Sequence, residues 1–163
     1  MIIDSGTEVT LIGGVGWKPL QISTTQTTSV GTALAANGLT SLANGDFVTK
    51  VVTKQWQPIL IGIGGAAWNP DKDQNETLVN PNDLRSQGWN VCDTPKCFGG
   101  SQRLVVNDDT IIPFEFDNDS KITSLNIIAP TQDDIDSLPI HWLIPRSISN
   151  QEDDGPATSR KVS

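Results

Sequence analysis

Apolar residues in this chain fall in short alternating or β-branched runs, not at the helical spacing of three to four positions. Thr7, Val9 and Leu11 alternate onto one face. Phe47-Val48-Thr49-Lys50-Val51-Val52, Ile59-Leu60-Ile61, Leu104-Val105-Val106, Ile111 to Phe116 and Ile122 to Ile128 are rich in β-formers and bounded by turn residues. Such a series predicts a mainly-β domain. One short helix is predicted: Asn80 is placed to cap it, Pro81 suits its first position, and Gly88 stops it after Gln87. Two turns of helix survive only by packing on something else.

The near-repeat of Leu34 to Leu39 and Leu42 to Asp46 contains two Asn-Gly pairs, Asn37-Gly38 and Asn44-Gly45. Each is a hairpin signal, because a type I′ turn needs positive φ at both central residues. The second is expected to lead into the strand that starts at Phe47. From Arg146 onward, Ser, Asn, Gln, Asp, Gly and Pro displace apolar residues. The expected organisation is a folded domain over residues 1–145 and a disordered tail over 146–163.

The length of 163 residues suits one domain with its own core, and 36% hydrophobic residues keeps it in the globular class. The formal net charge of −8, without a Lys/Arg cluster, argues against nucleic acid as a partner. No apolar run reaches bilayer length, and the N-terminus lacks the basic and apolar regions of a secretory leader. A soluble, intracellular protein without a membrane partner is expected.

Several constellations have an ordinary reading. Gly62 to Ala67 follows a strand like a dinucleotide-binding fingerprint, but Trp68-Asn69-Pro70 breaks the helix that must follow. Asp71 to Glu76 spaces oxygens like the start of a calcium loop, yet lacks its turn glycine and terminal bidentate acid. Cys92 and Cys97 are half a metal knuckle with no second pair, and His141 is a lone histidine, so free thiols and a surface or packing histidine are expected. Five scattered tryptophans suit packing rather than a base-stacking platform. No metal and no cofactor is expected.

The chemistry lies at the start. Ile2-Ile3 delivers Asp4 into Ser5-Gly6-Thr7, an arrangement suited to a buried carboxylate at a strand end. Gly6 lets the backbone turn beneath the acid, and Ser5 and Thr7 can donate hydrogen bonds to backbone or carboxylate oxygens.

Asp4-Ser-Gly-Thr7 with Val9 to Gly13, and then Glu76 to Gly88, resembles the protease region of copia-like retrotransposon polyproteins. The second segment carries the more specific likeness: Leu78-Val79, then Pro81 to Gln87, Gly88 and Trp89-Asn90-Val91, resembles the order of apolar pair, short helix and last strand in retroviral-type proteases. Phe98 to Gln102, Ile112-Pro113 and Ala129 to Ile135 resemble the stretch that follows the protease in diatom elements of this kind.

The resemblance implies a retropepsin-like β-barrel with one short helix, active as a homodimer in which each copy supplies one aspartate. It implies Asp4 as the catalytic carboxylate, Ser5, Gly6 and Thr7 as its support, and Gly38 or Gly45 at the tip of a substrate-covering hairpin. The substrate would be the element's own polyprotein, cut between apolar residues, in the cytoplasm or in virus-like particles. Family members carry a strand and hairpin before the aspartate, whereas Met1-Ile2-Ile3 alone precede Asp4. The alternative reading is therefore a catalytically inactive retroelement-derived β-domain.

Overall fold

The computed structural model describes residues 1–7, 9–31, 39–71 and 76–147. Strands β1 (Ile2–Ile3) and β2 (Leu11–Gly13) flank the Asp4 turn, and three long strands follow: β3 (Lys18–Gly31), β4 (Leu39–Val52) and β5 (Pro58–Asn69). Then come β6 (Leu78–Val79), helix α1 (Pro81–Ser86), β7 (Asn90–Cys92) and a 3-10 turn over Lys96–Phe98. Strands β8 (Arg103–Asn107), β9 (Thr110–Pro113), β10 (Glu115–Asp117) and β11 (Ile122–Ser124), helix α2 (Gln132–Ser137) and strand β12 (Ile140–Ile144) complete the order.

The mainly-β expectation holds. The apolar run from Ile59 to Ile63 is buried throughout, as a strand covered on both faces must be. One edge of β5 pairs antiparallel with β4, from Val52↔Pro58 to Asn44↔Ala67. Two strands share the other edge, both parallel: β12 along Leu60 to Ile63 and β2 along Ala67 to Asn69. The changeover falls at Gly64-Gly65, with Gly65 at φ +65°. A Cβ on Gly64 would collide with the Pro145 carbonyl, and one on Gly62 with the Trp142 ring. The glycine run thus serves close approach inside a strand.

The large sheet runs β10-β11-β1-β6-β2-β5-β4-β3, with β12 attached to β5. Its ends do not meet, so the expected closed barrel is replaced by an open sheet. One end is β10, three residues long, whose Glu115 and Asp117 are charges of the kind that blunt a sheet edge. A second sheet, β7-β8-β9, shares the core with it through Val91, Leu104 and Ile112, alongside Phe47, Ile61, Ile63, Leu84 and Leu143. Trp89 joins the two parts, its buried Nε1 donating to the Leu143 carbonyl at 2.7 Å.

Helix α1 forms as its caps require. The Asn80 side chain accepts from Asn82 N, Pro81 opens the helix and Gly88 leaves it at φ +90°. A second helix, α2, was not anticipated; Thr131 and Asp134 build its capping box, a signal present in the sequence.

Other elements depart from expectation. Asn44-Gly45 is no turn: it lies within β4, opposite Ile22 on one side and Ala66-Ala67 on the other. Gly45 is required there because a Cβ would come within 2.6 Å of Phe47 Cζ and 2.7 Å of the Gln21 carbonyl. Asn37-Gly38 lies outside the described residues. Thr7, Val9 and Thr10 are not in a strand; the Thr7 hydroxyl donates to Val9 O at 3.0 Å and that of Thr10 to Asp83 Oδ2 at 2.9 Å. The run from Ile111 to Phe116 divides at buried Phe114, sending β9 to the small sheet and β10 to the large one. Pairing of the Ile122 run ends at Ser124, beyond which Ile128 forms a lone bridge to Lys50.

Arg146 and Ser147, expected to begin the tail, are tied to the fully buried carboxylate of Asp46. Its Oδ1 accepts from Gly65 N at 2.9 Å and Ser147 N at 3.3 Å, while Oδ2 faces Arg146 Nε at 3.5 Å. The guanidinium also lies 5.4 Å above the centre of the Trp142 ring. The polar composition that marks a tail is blind to one buried acid needing a cation. We expect Arg146→Ala to cost about 3 kcal/mol, because it leaves Asp46 buried without its partner. Urea unfolding measures this, and Lys50→Ala, which removes a partly exposed ion pair with Asp134, should cost no more than about 1 kcal/mol.

Candidate active site

Asp4 immediately follows β1, and its position is set by backbone. Strand β1 lies between β11, antiparallel, and β6, parallel, with Ile3 opposite Thr123 and Val79. Asp4 N donates to Val79 O at 3.0 Å, carrying that pairing up to the aspartate itself. The chain then turns: Thr7 N reaches Asp4 O at 3.4 Å and Gly6 N donates to Asp4 Oδ1 at 2.8 Å. A Cβ on Gly6 would stand 3.2 Å from that same carboxylate oxygen, so the glycine keeps the approach open.

Helix α1 holds the turn from below. Asn80 uses both ends of its amide, the oxygen accepting from Asn82 N at 2.9 Å and Nδ2 donating to Thr7 O at 2.8 Å. One residue thus caps the helix and fixes the far end of the Asp4 turn. Asp83, one turn along the helix, receives the Thr10 hydroxyl, a second tie between the same two segments. The sequence marks Asn80 as a cap, but nothing in its spacing to Thr7 marks it as a support of the aspartate.

The carboxylate itself differs from expectation. Asp4, Ser5 and Gly6 are exposed in the single chain, where a buried acid was expected. Its donor is the Gly6 amide, while the Thr7 hydroxyl turns away to Val9 O. A recess of about 350 Å³ is lined by Val9, Thr10, Thr28, Gly64 and Asp83 among others, and Asp4 to Thr7 are not part of its lining. Gly45 sits in β4, opposite Ala66 in the wall of that recess, and not at a hairpin tip. The connection between β3 and β4 carries Gly38 and falls outside the described residues.

Cys92 and Cys97 are both free thiols, Cys97 exposed and Cys92 partly so. The Ser101 hydroxyl, and then the amides of Ser101, Gln102 and Thr94, outweigh partial burial and hold the Cys92 thiol down at about 6. His141 is half-buried, and that burial pushes it below the usual imidazole range. Among the described residues, no three His, Cys, Asp or Glu side chains are grouped to hold a metal. No helix among them is long and apolar enough to cross a membrane.

Comparison with protein-family models, with curated proteins and with solved structures finds no match to this chain.

We expect Asn80→Ala to destabilise the fold by about 1–2 kcal/mol, losing a helix cap and the clamp on Thr7 together. Amide exchange at Gly6 and Thr7 should rise with it. Asn80→Ser keeps the cap but cannot reach Thr7, so stability should largely return while exchange at the turn stays fast.

Proposed function

We propose that the chain is a retropepsin-like aspartic endopeptidase of a retroelement, working as a homodimer on its own polyprotein. The observation that carries this reading is the mounting of Asp4: its amide is tied to β6 and the Thr7 end of its turn to Asn80, while its carboxylate opens to solvent. A catalytic group needs that combination of a rigid base and an accessible head. An ordinary Asp-Ser-Gly surface turn needs no clamp from a distant helix.

The chain has one such turn, so a second copy would supply the second carboxylate. Two acids sharing one proton divide the work: the ionised one takes a proton from water as that water attacks the peptide carbonyl, and the protonated one donates to the carbonyl oxygen. Facing another copy would also remove Asp4 from solvent, as this chemistry requires. The resemblance gives Gly38 a part in covering a bound peptide, and that residue lies outside the described residues. Gly45 has no part in that role. An extended polyprotein segment with apolar residues at the cut fits the reading, in the cytoplasm or in virus-like particles.

The test is cleavage of apolar peptides and of a polyprotein fragment by the purified chain. Activity should rise faster than linearly with protein concentration and vanish in Asp4→Asn, with circular dichroism unchanged. The rate should peak below neutrality and fall toward alkaline pH, because a close pair of carboxylates loses its shared proton as pH rises. Absence of cleavage at every concentration and pH would favour the inactive β-domain. Cleavage linear in concentration by a proven monomer would exclude the shared site.

A further inference from the structure

We propose that Cys92 and Cys97 form a peroxide-responsive dithiol whose conversion to a disulfide loosens the hold of α1 on the Asp4 turn. Cys92 ends β7 opposite Arg103, the first residue of β8, so residues 93–102 form a loop with its two ends held side by side. Cys97 sits in the exposed 3-10 turn of that loop, and Gly99 at φ +88° sends the chain back toward β8. Cys92 Sγ accepts from Ser101 N at 3.3 Å, so the sulfur faces the returning limb of the same loop. Around Cys97 the bonds stay within the loop, Phe98 N and Gly100 N to Pro95 O at 3.0 Å each and Lys96 N to Gln102 Oε1 at 3.1 Å, while its ends are anchored outside it, Gln102 to Phe114 and Asp93 to Arg85. Closing a ring between cysteines five positions apart must draw that turn and the end of β7 together.

The chemistry balances with hydrogen peroxide as the oxidant. The Cys92 thiolate attacks one peroxide oxygen, the O–O bond breaks, and hydroxide leaves a sulfenic acid behind. The Cys97 thiol then attacks the Cys92 sulfur, and the S–O bond breaks with release of water that takes up the thiol proton. Two thiols are oxidised and one peroxide is reduced to water. A Cys92 thiol held at about 6 is largely thiolate at neutral pH, which makes it the attacking member.

The loop is joined to the Asp4 turn by a continuous set of contacts. Arg85 of α1 grips the residues on both sides of Cys92: Nε and Nη2 donate to Val91 O at 3.2 and 3.1 Å, and Nη2 pairs with Asp93 Oδ1 at 2.8 Å. At the start of the same helix, Asn80 holds Thr7 O. A disulfide takes Sγ from Ser101 N and pulls on Cys92 between the two groups that Arg85 holds.

The regulation deepens the reading of Asp4 as a functional group, but its test does not depend on peptidase activity. Reduced full-length chain is treated with hydrogen peroxide and followed by intact mass, peptide mapping and amide hydrogen exchange. We expect the loss of two hydrogen atoms per chain, a Cys92-to-Cys97 link within one chain, and several-fold faster exchange over Pro81 to Gln87 and Asp4 to Thr7, reversed by dithiothreitol. Cys97→Ser, at an exposed position, should stop at a sulfenic acid on Cys92 that dimedone traps, with exchange unchanged. Links between chains, dimedone labelling absent from Cys92, or a disulfide that leaves exchange over both segments unaltered would each overturn the proposal.

Discussion

Strand β5 has two edges and must serve three partners, and the rest of the fold follows from how it does so. Pairing with β4 uses one edge along almost its whole length. The other edge is divided at Gly64-Gly65, the first part going to β12 and the last residues to β2. That division needs a residue tolerant of positive φ and another with no side chain toward Pro145, which is why two glycines stand together. Through β2 the sheet continues to β6 and then to β1, so the position of Asp4 descends, strand by strand, from the break in β5.

The same division explains the buried ion pair. Where β12 leaves β5, the amide of Gly65 turns to the Asp46 carboxylate instead of a strand partner, and Ser147 and Arg146 close over it. A charge at 0% exposure is costly, and the arrangement survives because two amides and a guanidinium meet it. Asp46 therefore latches β12 beside β5 at the point where the sheet would otherwise fray.

Much of this was legible in the amino-acid sequence, because buried strands and helix caps are local signals. The runs at Phe47, Ile59 and Leu104 became strands, and Asn80, Pro81 and Gly88 bounded a helix as their chemistry requires. Asn44-Gly45 misled because a glycine needed for close approach to Phe47 and Gln21 is written with the same letters as a hairpin turn. Phe114 and Arg146 could not be placed from their neighbours, since each is fixed by residues far along the chain. At the site, the Ser-Gly turn around Asp4 was readable, whereas the clamp from Asn80 and the exposure of the carboxylate are properties of the tertiary fold.

The strands around Asp4 come from distant parts of the sequence. Ile2 pairs with Leu78 on one side and Ser124 on the other, and Ile61, deep in the central strand, waits for His141. Contacts of such long sequence separation form late, because the chain between them must first be gathered in. During synthesis the aspartate is made before β6 and β11, and so before the strands that surround it. A nascent chain would carry the acid on an unformed turn until β6 and β11 had been made, so the setting of Asp4 is completed only once Ser124 has been added.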